Sequence, residues 1–194
     1  MHLITLKEWS SDDVMETVER SIDIKRNPKH YSAALSGKTL ALLFQKTSTR
    51  TRCAGEIGMA QLGGNALYMD WRSTNFGLAN LSDEVRVLGS YADFVLARLM
   101  RHEDVRLTAK ASEVPIINGC CDRYHPLQAL ADLMTVYEAF GRLEGIRLTY
   151  VGMLNNVANS LIAAGLKSGM QVTCVCPETN PPAEDKDLYK QASA

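Results

Sequence analysis

Short apolar runs alternate with amphipathic stretches along this chain, and that alternation predicts its elements. Ser10-Ser11-Asp12-Asp13 suits a helix start with acidic residues in its first turn, and Val14, Val18 and Ile22 then recur every fourth position as one buried stripe. That helix should end near Asn27-Pro28. Thr39-Leu40-Ala41-Leu42-Leu43 is brief, continuously apolar and preceded by Ser36-Gly37, which predicts a buried strand. Residues 53–62 read as a helix stopped by Gly63-Gly64, and Asn65–Asp70 as a second strand. The polar loop 71–81 is long enough for a functional role. Ser82, with Asp83 and Glu84, should cap a helix to about Tyr91. Phe94–Arg98 is a third strand, 103–112 a helix and 114–118 a fourth strand. His125-Pro126-Leu127-Gln128 opens a helix to about Phe140, with Pro126 suited to the first turn.

Four strand–helix alternations predict an α/β fold: a four-stranded parallel sheet flanked by helices. Ligands of such sheets gather beyond the carboxyl ends of the strands, where Arg50, Arg98 and His125 all fall. Gly141 to Gly145 reads as a hinge, after which strand 147–152, helix 155–168 and strand 171–176 restart the pattern. The expected organisation is one domain at 1–140 and the start of a second α/β domain at 141–194. Two strands offer too little sheet to bury a helix, so the second domain is expected to be incomplete, with a polar stretch at 177–194.

Composition narrows the function classes. Twenty-one lysines and arginines against 22 acidic residues leave a formal charge of −1, so no global field favours nucleic acid or an anionic membrane. Anion binding would have to come from local placement. No apolar run approaches the ~20 residues of a membrane span, and Met1-His2-Leu3-Ile4-Thr5 has no secretory pattern. Five cysteines, adjacent at Cys120 and Cys121, one residue apart at Cys174 and Cys176 and single at Cys53, form no C-x-x-C. They read as reduced thiols of a cytoplasmic protein, with neither a disulfide framework nor a metal site expected.

Three places carry candidate chemistry. In Ser48-Thr49-Arg50-Thr51-Arg52, hydroxyls and arginines sit at a strand-to-helix turn, where free backbone N–H groups and the helix dipole favour an anion. Arg50 can hold two phosphate oxygens at once. The stretch alone fits either a phosphate site or a polar helix start with solvated arginines, and it is not a P-loop. His125 and Gln128, three apart on a first helical turn, can face one point; His can donate to a carbonyl gaining charge and Gln can accept from an amide NH₂. As a pair alone they fit a capping His and a surface Gln better than a ligand site. Arg98, at a strand end, fits a ligand contact or a structural ion pair.

Taken together, Ser48-Thr49-Arg50-Thr51-Arg52, Val95-Leu96-Ala97-Arg98, Pro115-Ile116-Ile117-Asn118-Gly119 and His125-Pro126-Leu127-Gln128-Ala129-Leu130-Ala131-Asp132 resemble the aspartate/ornithine carbamoyltransferase family in order and spacing. The resemblance runs from about Leu3 to Pro177. It implies transfer of a carbamoyl group from carbamoyl phosphate to an amine, without cofactor or metal. Ser48, Thr49, Arg50 and Thr51 would hold the phosphate, Arg98 would bridge phosphate and carbonyl, and Thr51, Arg98 and His125 would stabilise the oxyanion. Gln128 would hold the carbamoyl NH₂. Residues 1–140 would then be the carbamoyl phosphate-binding domain and 141–194 part of the amino-acid-binding domain.

Val151-Gly152-Met153-Leu154-Asn155-Asn156 resembles the ornithine-type turn, in which Asn156 would bind the amino-acid end of the substrate, although the family's usual Gly-Asp is Gly152-Met153 here. Loop 73–85 contains no lysine, which also sets the chain apart from aspartate enzymes. Asn75 would be the loop residue reaching a neighbouring subunit of a homotrimer. The family's H-C-L-P turn and D-x-W-x-S-M-G segment have no counterpart up to Ala194. The alternative expectation is therefore a truncated, non-catalytic paralogue or fragment that binds phosphate ligands or assembles with an intact subunit. A dinucleotide-binding domain is disfavoured because no G-x-G-x-x-G follows a strand.

Overall fold

The computed structural model describes residues 1–193, so Ala194, the last residue of the expected second domain, lies outside the described residues. The first helix, α1 (Ser11–Arg26), buries Val14, Val18 and Ile22 as the four-residue spacing requires. By packing, the chain divides into two compact units: Met1–Ile4 with Ile24–Gly119, and Thr5–Asp23 with Cys120–Ala194. This division follows Gly119, whereas the hydrophobic pattern places a boundary at 140.

In the first unit β1 (Thr39–Phe44), β2 (Asn65–Asp70), β3 (Phe94–Arg98) and β4 (Ile116–Asn118) form one sheet in the order β2-β1-β3-β4, all pairs parallel. The connecting helices are α2 (Thr49–Gln61), α3 (Leu81–Gly89) and α4 (His102–Ala111). Central β1 is buried from Leu40 to Phe44, which is why it reads as a continuous apolar run. Its last residue, Phe44, is in register with Arg98 of β3. The two strand ends are tied further along: Gln45 N–H donates to Arg98 O at 2.9 Å, and Met100 N–H to Gln45 Oε1 at 2.8 Å.

Three local expectations are corrected. Helix α2 starts at Thr49, not 53, because Ser48 caps it. Asn80, rather than Ser82, caps α3, its Oδ1 accepting from Ser82 N–H at 2.9 Å. Strand β4 begins at Ile116 because the Ser112 hydroxyl folds 112–114 into a turn, accepting from Val114 N–H and donating to Val114 O. The sheet is instead extended past β4 by Leu3, which bridges Ile117 in parallel.

The second unit contains α5 (Pro126–Phe140), β5 (Arg147–Val151), α6 (Asn156–Ser168), β6 (Gln171–Val175) and α7 (Lys186–Ala192), with β5 and β6 paired in parallel. Gly141, at φ 71°, ends α5 in the left-handed conformation and donates to Tyr137 O. The polar stretch 177–193 holds a 3-10 turn (Pro181–Ala183) and α7. Ala158 to Gly165 of α6 are all buried, and the two-stranded sheet is only part of their cover, since α6 packs on α5, β6, α7 and the turn at Leu6–Glu8. No helix among the described residues is long and apolar enough to cross a membrane.

Candidate functional site

In the first unit the turn after β1 delivers Ser48 as the cap of α2. Its Oγ accepts from Thr51 N–H at 3.3 Å and donates to Thr51 Oγ1 at 3.0 Å. Arg98, at the neighbouring strand end, donates from Nη1 to Thr51 Oγ1 at 3.4 Å and to Gly119 O at 3.2 Å. Its Nε is a buried donor without a hydrogen-bond partner. Thr49 and Arg50 stay exposed on the first turn of α2. The structure thus joins Ser48, Thr51 and Arg98 through hydroxyl and guanidinium contacts and leaves Arg50 open to solvent on the same turn. Arg52, the other arginine of the stretch, is engaged elsewhere: its Nε donates to Glu56 Oε1 at 2.9 Å and its guanidinium lies 3.9 Å over the Tyr68 ring.

A Cβ at Gly119 would lie 2.3 Å from Leu96 Cδ2 and 3.4 Å from Arg98 Cβ, so a side chain there would displace Leu96. Fully buried Asn118 beside it donates from Nδ2 to Ile4 O at 3.0 Å. Asn75 is exposed at the head of a 3-10 turn (Asn75–Gly77), its carbonyl accepting from the N–H groups of Leu78 and Ala79. Buried Phe76 and Trp71, with ring centroids 5.5 Å apart, anchor that loop.

In the second unit His125 is the cap residue of α5, and its backbone N–H donates to Ser160 Oγ at 2.7 Å. Gln128, exposed one turn on, donates from Nε2 to Asp132 Oδ1 at 3.0 Å. Burial pushes the Asp132 carboxyl above its ordinary value, and the Gln128 bond pulls it part of the way back. Asn156 opens α6 and spends both amide hydrogens inside the protein, donating to Cys121 O at 2.7 Å and Cys120 Sγ at 3.3 Å. Its Oδ1 is the acceptor that these two bonds leave over. Cys120 holds φ 148°, a region unfavourable to a side chain, beside that anchor.

Several residues that hold the His125 turn were not legible as site residues. Fully buried Asn159 donates from Nδ2 to Arg123 O at 3.0 Å and Ala183 O at 2.6 Å, and accepts from Tyr189 Oη at 3.0 Å. Asp185 accepts from Lys7 Nζ at 2.7 Å, from Leu188 N–H at 2.9 Å and from Tyr124 Oη. Burial alone would raise the Asp185 carboxyl, but these donors outweigh it and hold it down to about 2. The same burial and contact push the Tyr124 hydroxyl well above its ordinary value. Only Asp132 had a sequence signal, its i,i+4 spacing from Gln128. No group of three or more metal-ligating side chains occurs among the described residues, and all five cysteines are free.

A family profile described as "Aspartate/ornithine carbamoyltransferase, carbamoyl-P binding domain" matches residues 1–138. Ornithine carbamoyltransferase of Listeria innocua is 41% identical over 177 residues, covering 91% of this chain and 56% of the relative. That of Bacillus thuringiensis is 42% identical over 193 residues, 99% of this chain and 60% of the relative. Among solved structures, ornithine carbamoyltransferase from Pyrococcus furiosus superposes with a TM-score of 0.92 at 39% identity, over 99% of this chain and 62% of that one. The Thermus thermophilus enzyme gives 0.87 at 35% identity, covering 100% of this chain and 67% of that one. The chain therefore spans about three fifths of the length of the curated relatives it matches. With the profile covering most of its length and the strand-end arginine and helix-capping hydroxyls in place, the chain belongs to the aspartate/ornithine carbamoyltransferase family.

Proposed function

We propose that this chain supplies the carbamoyl phosphate half of an ornithine-type carbamoyltransferase, which moves the carbamoyl group to the side-chain amine of ornithine and yields citrulline and phosphate. Residues 1–140 are assigned to carbamoyl phosphate and 141–194 to part of the amino-acid-binding domain. Ser48, Thr49, Arg50 and Thr51 hold the phosphate through hydroxyls, helix N–H groups and a guanidinium. Arg98 spans phosphate and carbonyl oxygen. The neutral ornithine amine attacks the carbamoyl carbon, and Thr51, Arg98 and His125 stabilise the oxyanion as the carbonyl opens. The bond from that carbon to the bridging oxygen then breaks, phosphate leaves with the electron pair, and the proton lost by the attacking nitrogen passes to the departing phosphate.

The nucleophile comes from the substrate, so the protein contributes positioning and electrostatics rather than a covalent residue. Gln128 receives the carbamoyl NH₂, and Asn156 accepts from the amino-acid end through Oδ1. The reaction is placed in the cytoplasm, in a homotrimer in which the loop carrying Asn75 serves a neighbouring subunit.

The observation that carries this reading is the Ser48–Thr51–Arg98 cluster at adjoining strand ends, where Arg98 Nε is a buried donor without a protein acceptor. The ornithine branch is supported by the names of the similar proteins and by the absence of lysine from 73–85. Citrulline formation by the complete protein should fall about 100-fold in Arg50→Ala. Acylated ornithine and putrescine serve as parallel amines. A complete protein that turns over no carbamoyl phosphate with any of them would sink the reading.

A further inference from the structure

We propose that Asp132 is a positioning residue that fixes which atom of the Gln128 amide is offered to the carbamoyl group. The inference rests on the carbamoyl role of Gln128 given above. The two side chains lie one turn apart on α5, with Gln128 Nε2 3.0 Å from Asp132 Oδ1. A carboxylate has only acceptor sites, so the amide beside it must turn its NH₂ toward it. That leaves Oε1 as the amide's outward-facing group. The nitrogen of a carbamoyl group has only hydrogens to offer, and Oε1 is the atom that can receive them.

In the reverse orientation Oε1 would face the carboxylate and two donors would confront each other at the substrate. Nothing in Gln128 itself forbids that reversal. The terminal torsion of a glutamine is broad and roughly two-fold, and this side chain is exposed. Asp132 removes the ambiguity with one charge-assisted bond to the amide.

The surroundings of Asp132 favour this role over a purely structural one. The carboxyl is half-buried, yet among the described residues no cation is paired with it, and its hydrogen-bond donor is Gln128. Burial raises its pKa and the Gln128 bond opposes that rise, so the contact that orients the amide is also what compensates the carboxylate. The spacing is the i,i+4 step that places two side chains on one face of a helix.

Titration calorimetry with two stable probes separates the amide contribution from the phosphate contribution. Phosphonoacetamide carries both a phosphonate and a carbamoyl NH₂; methylphosphonate carries the phosphonate alone. In Asp132→Leu, affinity for phosphonoacetamide should fall about three- to ten-fold while that for methylphosphonate stays within two-fold of wild type. Asp132→Asn keeps the size but can donate as well as accept, so it no longer fixes the amide and should recover only part of the loss, and Asp132→Ala repeats the test should the leucine variant fold poorly. In a Gln128→Ala background, Asp132→Leu should cause no further loss, because the effect runs through the amide. Unchanged binding of both probes by Asp132→Leu, equal weakening of both, or a full additional loss in the Gln128→Ala background would each overturn the proposal. A wild-type protein that binds the two probes equally tightly would instead overturn the carbamoyl role of Gln128 itself.

Discussion

At the start of α2 the polar groups have few partners within the protein: Arg50 is exposed, Arg98 Nε is buried without a partner, and the Ser48 cap bond to Thr51 N–H is long at 3.3 Å. At the start of α5 it is the backbone and the segment before it that are held. The backbone of His125 is fixed by Ser160, Asn156 binds the adjacent Cys120–Cys121 segment, and Asn159, Asp185 and Tyr124 lock the preceding turn. The contrast fits the two tasks proposed for them. A dianion is bound by donors that still have bonds to give, whereas a neutral carbamoyl group offers little charge and must be met by atoms already in position.

The most severe way to break the first half of this contrast is Arg98→Leu. It removes the guanidinium that connects Thr51 to the β3 end and, with it, the buried unpartnered donor. Affinity for phosphonoacetamide should drop at least about 100-fold, with helix content and melting temperature little changed, because a charged bidentate contact is lost while one buried unsatisfied group disappears. Wild-type affinity in a folded Arg98→Leu protein would remove Arg98 from the ligand site.

The second half breaks at Asn159. Replacing it with Leu removes the donor shared by the carbonyls of Arg123 and Ala183 and leaves the Tyr189 hydroxyl only its longer contact, to Ala183 O at 3.4 Å. A loss of about 2–4 kcal/mol in urea unfolding is expected. Methylphosphonate affinity of the folded fraction should be unaffected, since none of these groups belongs to the phosphate cluster. A variant as stable as wild type would show that the His125 turn is held by packing alone.

The difference between the two helix starts also decided how much the sequence could reveal. The phosphate chemistry proposed at α2 is local: hydroxyls, arginine and a helix start lie within five residues, so the pattern 48–52 stood out as a candidate anion site. The parallel sheet was equally legible, because Leu40 to Leu43 and Val95 to Ala97 are buried on both faces and therefore continuously apolar. What holds His125 was not legible, since Asn159, Asp185 and Lys7 meet across long stretches of chain and each looks like an ordinary surface residue. What else covers α6 was not legible for the same reason. Its cover includes the turn at Leu6–Glu8 and α7, the latter a short helix in a stretch with no apolar period.

A milder test of the pinned half is pH. The Asp185 carboxyl is held at about 2, below its ordinary 3.8, by Lys7, Tyr124 and Leu188 against the opposing effect of burial. A carboxyl with a depressed folded-state pKa stabilises fully above its unfolded value, near 4, and loses that contribution as pH falls through about 2. Wild type should therefore exceed Asp185→Asn in stability at about pH 5, and the gap should close as pH falls from about 4 to 2. A gap that survives at about pH 2 would mean that shape and hydrogen bonding, rather than charge, hold α7.

The gentlest probe asks whether Ser48 serves its helix or the ligand. As a cap it accepts from Thr51 N–H, and Ser48→Ala should destabilise the free protein by about 1 kcal/mol, a shift of a few degrees in melting temperature. If the cap were its whole role, a phosphonate settling on the same N–H groups would take over the task, and the difference between variant and wild type would shrink as methylphosphonate is added. If its hydroxyl also reaches the phosphate, as proposed, the variant binds several-fold more weakly and each addition of ligand stabilises it less than wild type. The melting-temperature gap should then widen with ligand, by about 1 kcal/mol for a five-fold loss in affinity. A gap that narrows instead would assign Ser48 to α2 alone and leave the phosphate to Thr49, Arg50, Thr51 and Arg98. The start of α2 would then be partly pinned as well, and the contrast with the start of α5 would rest on its arginines.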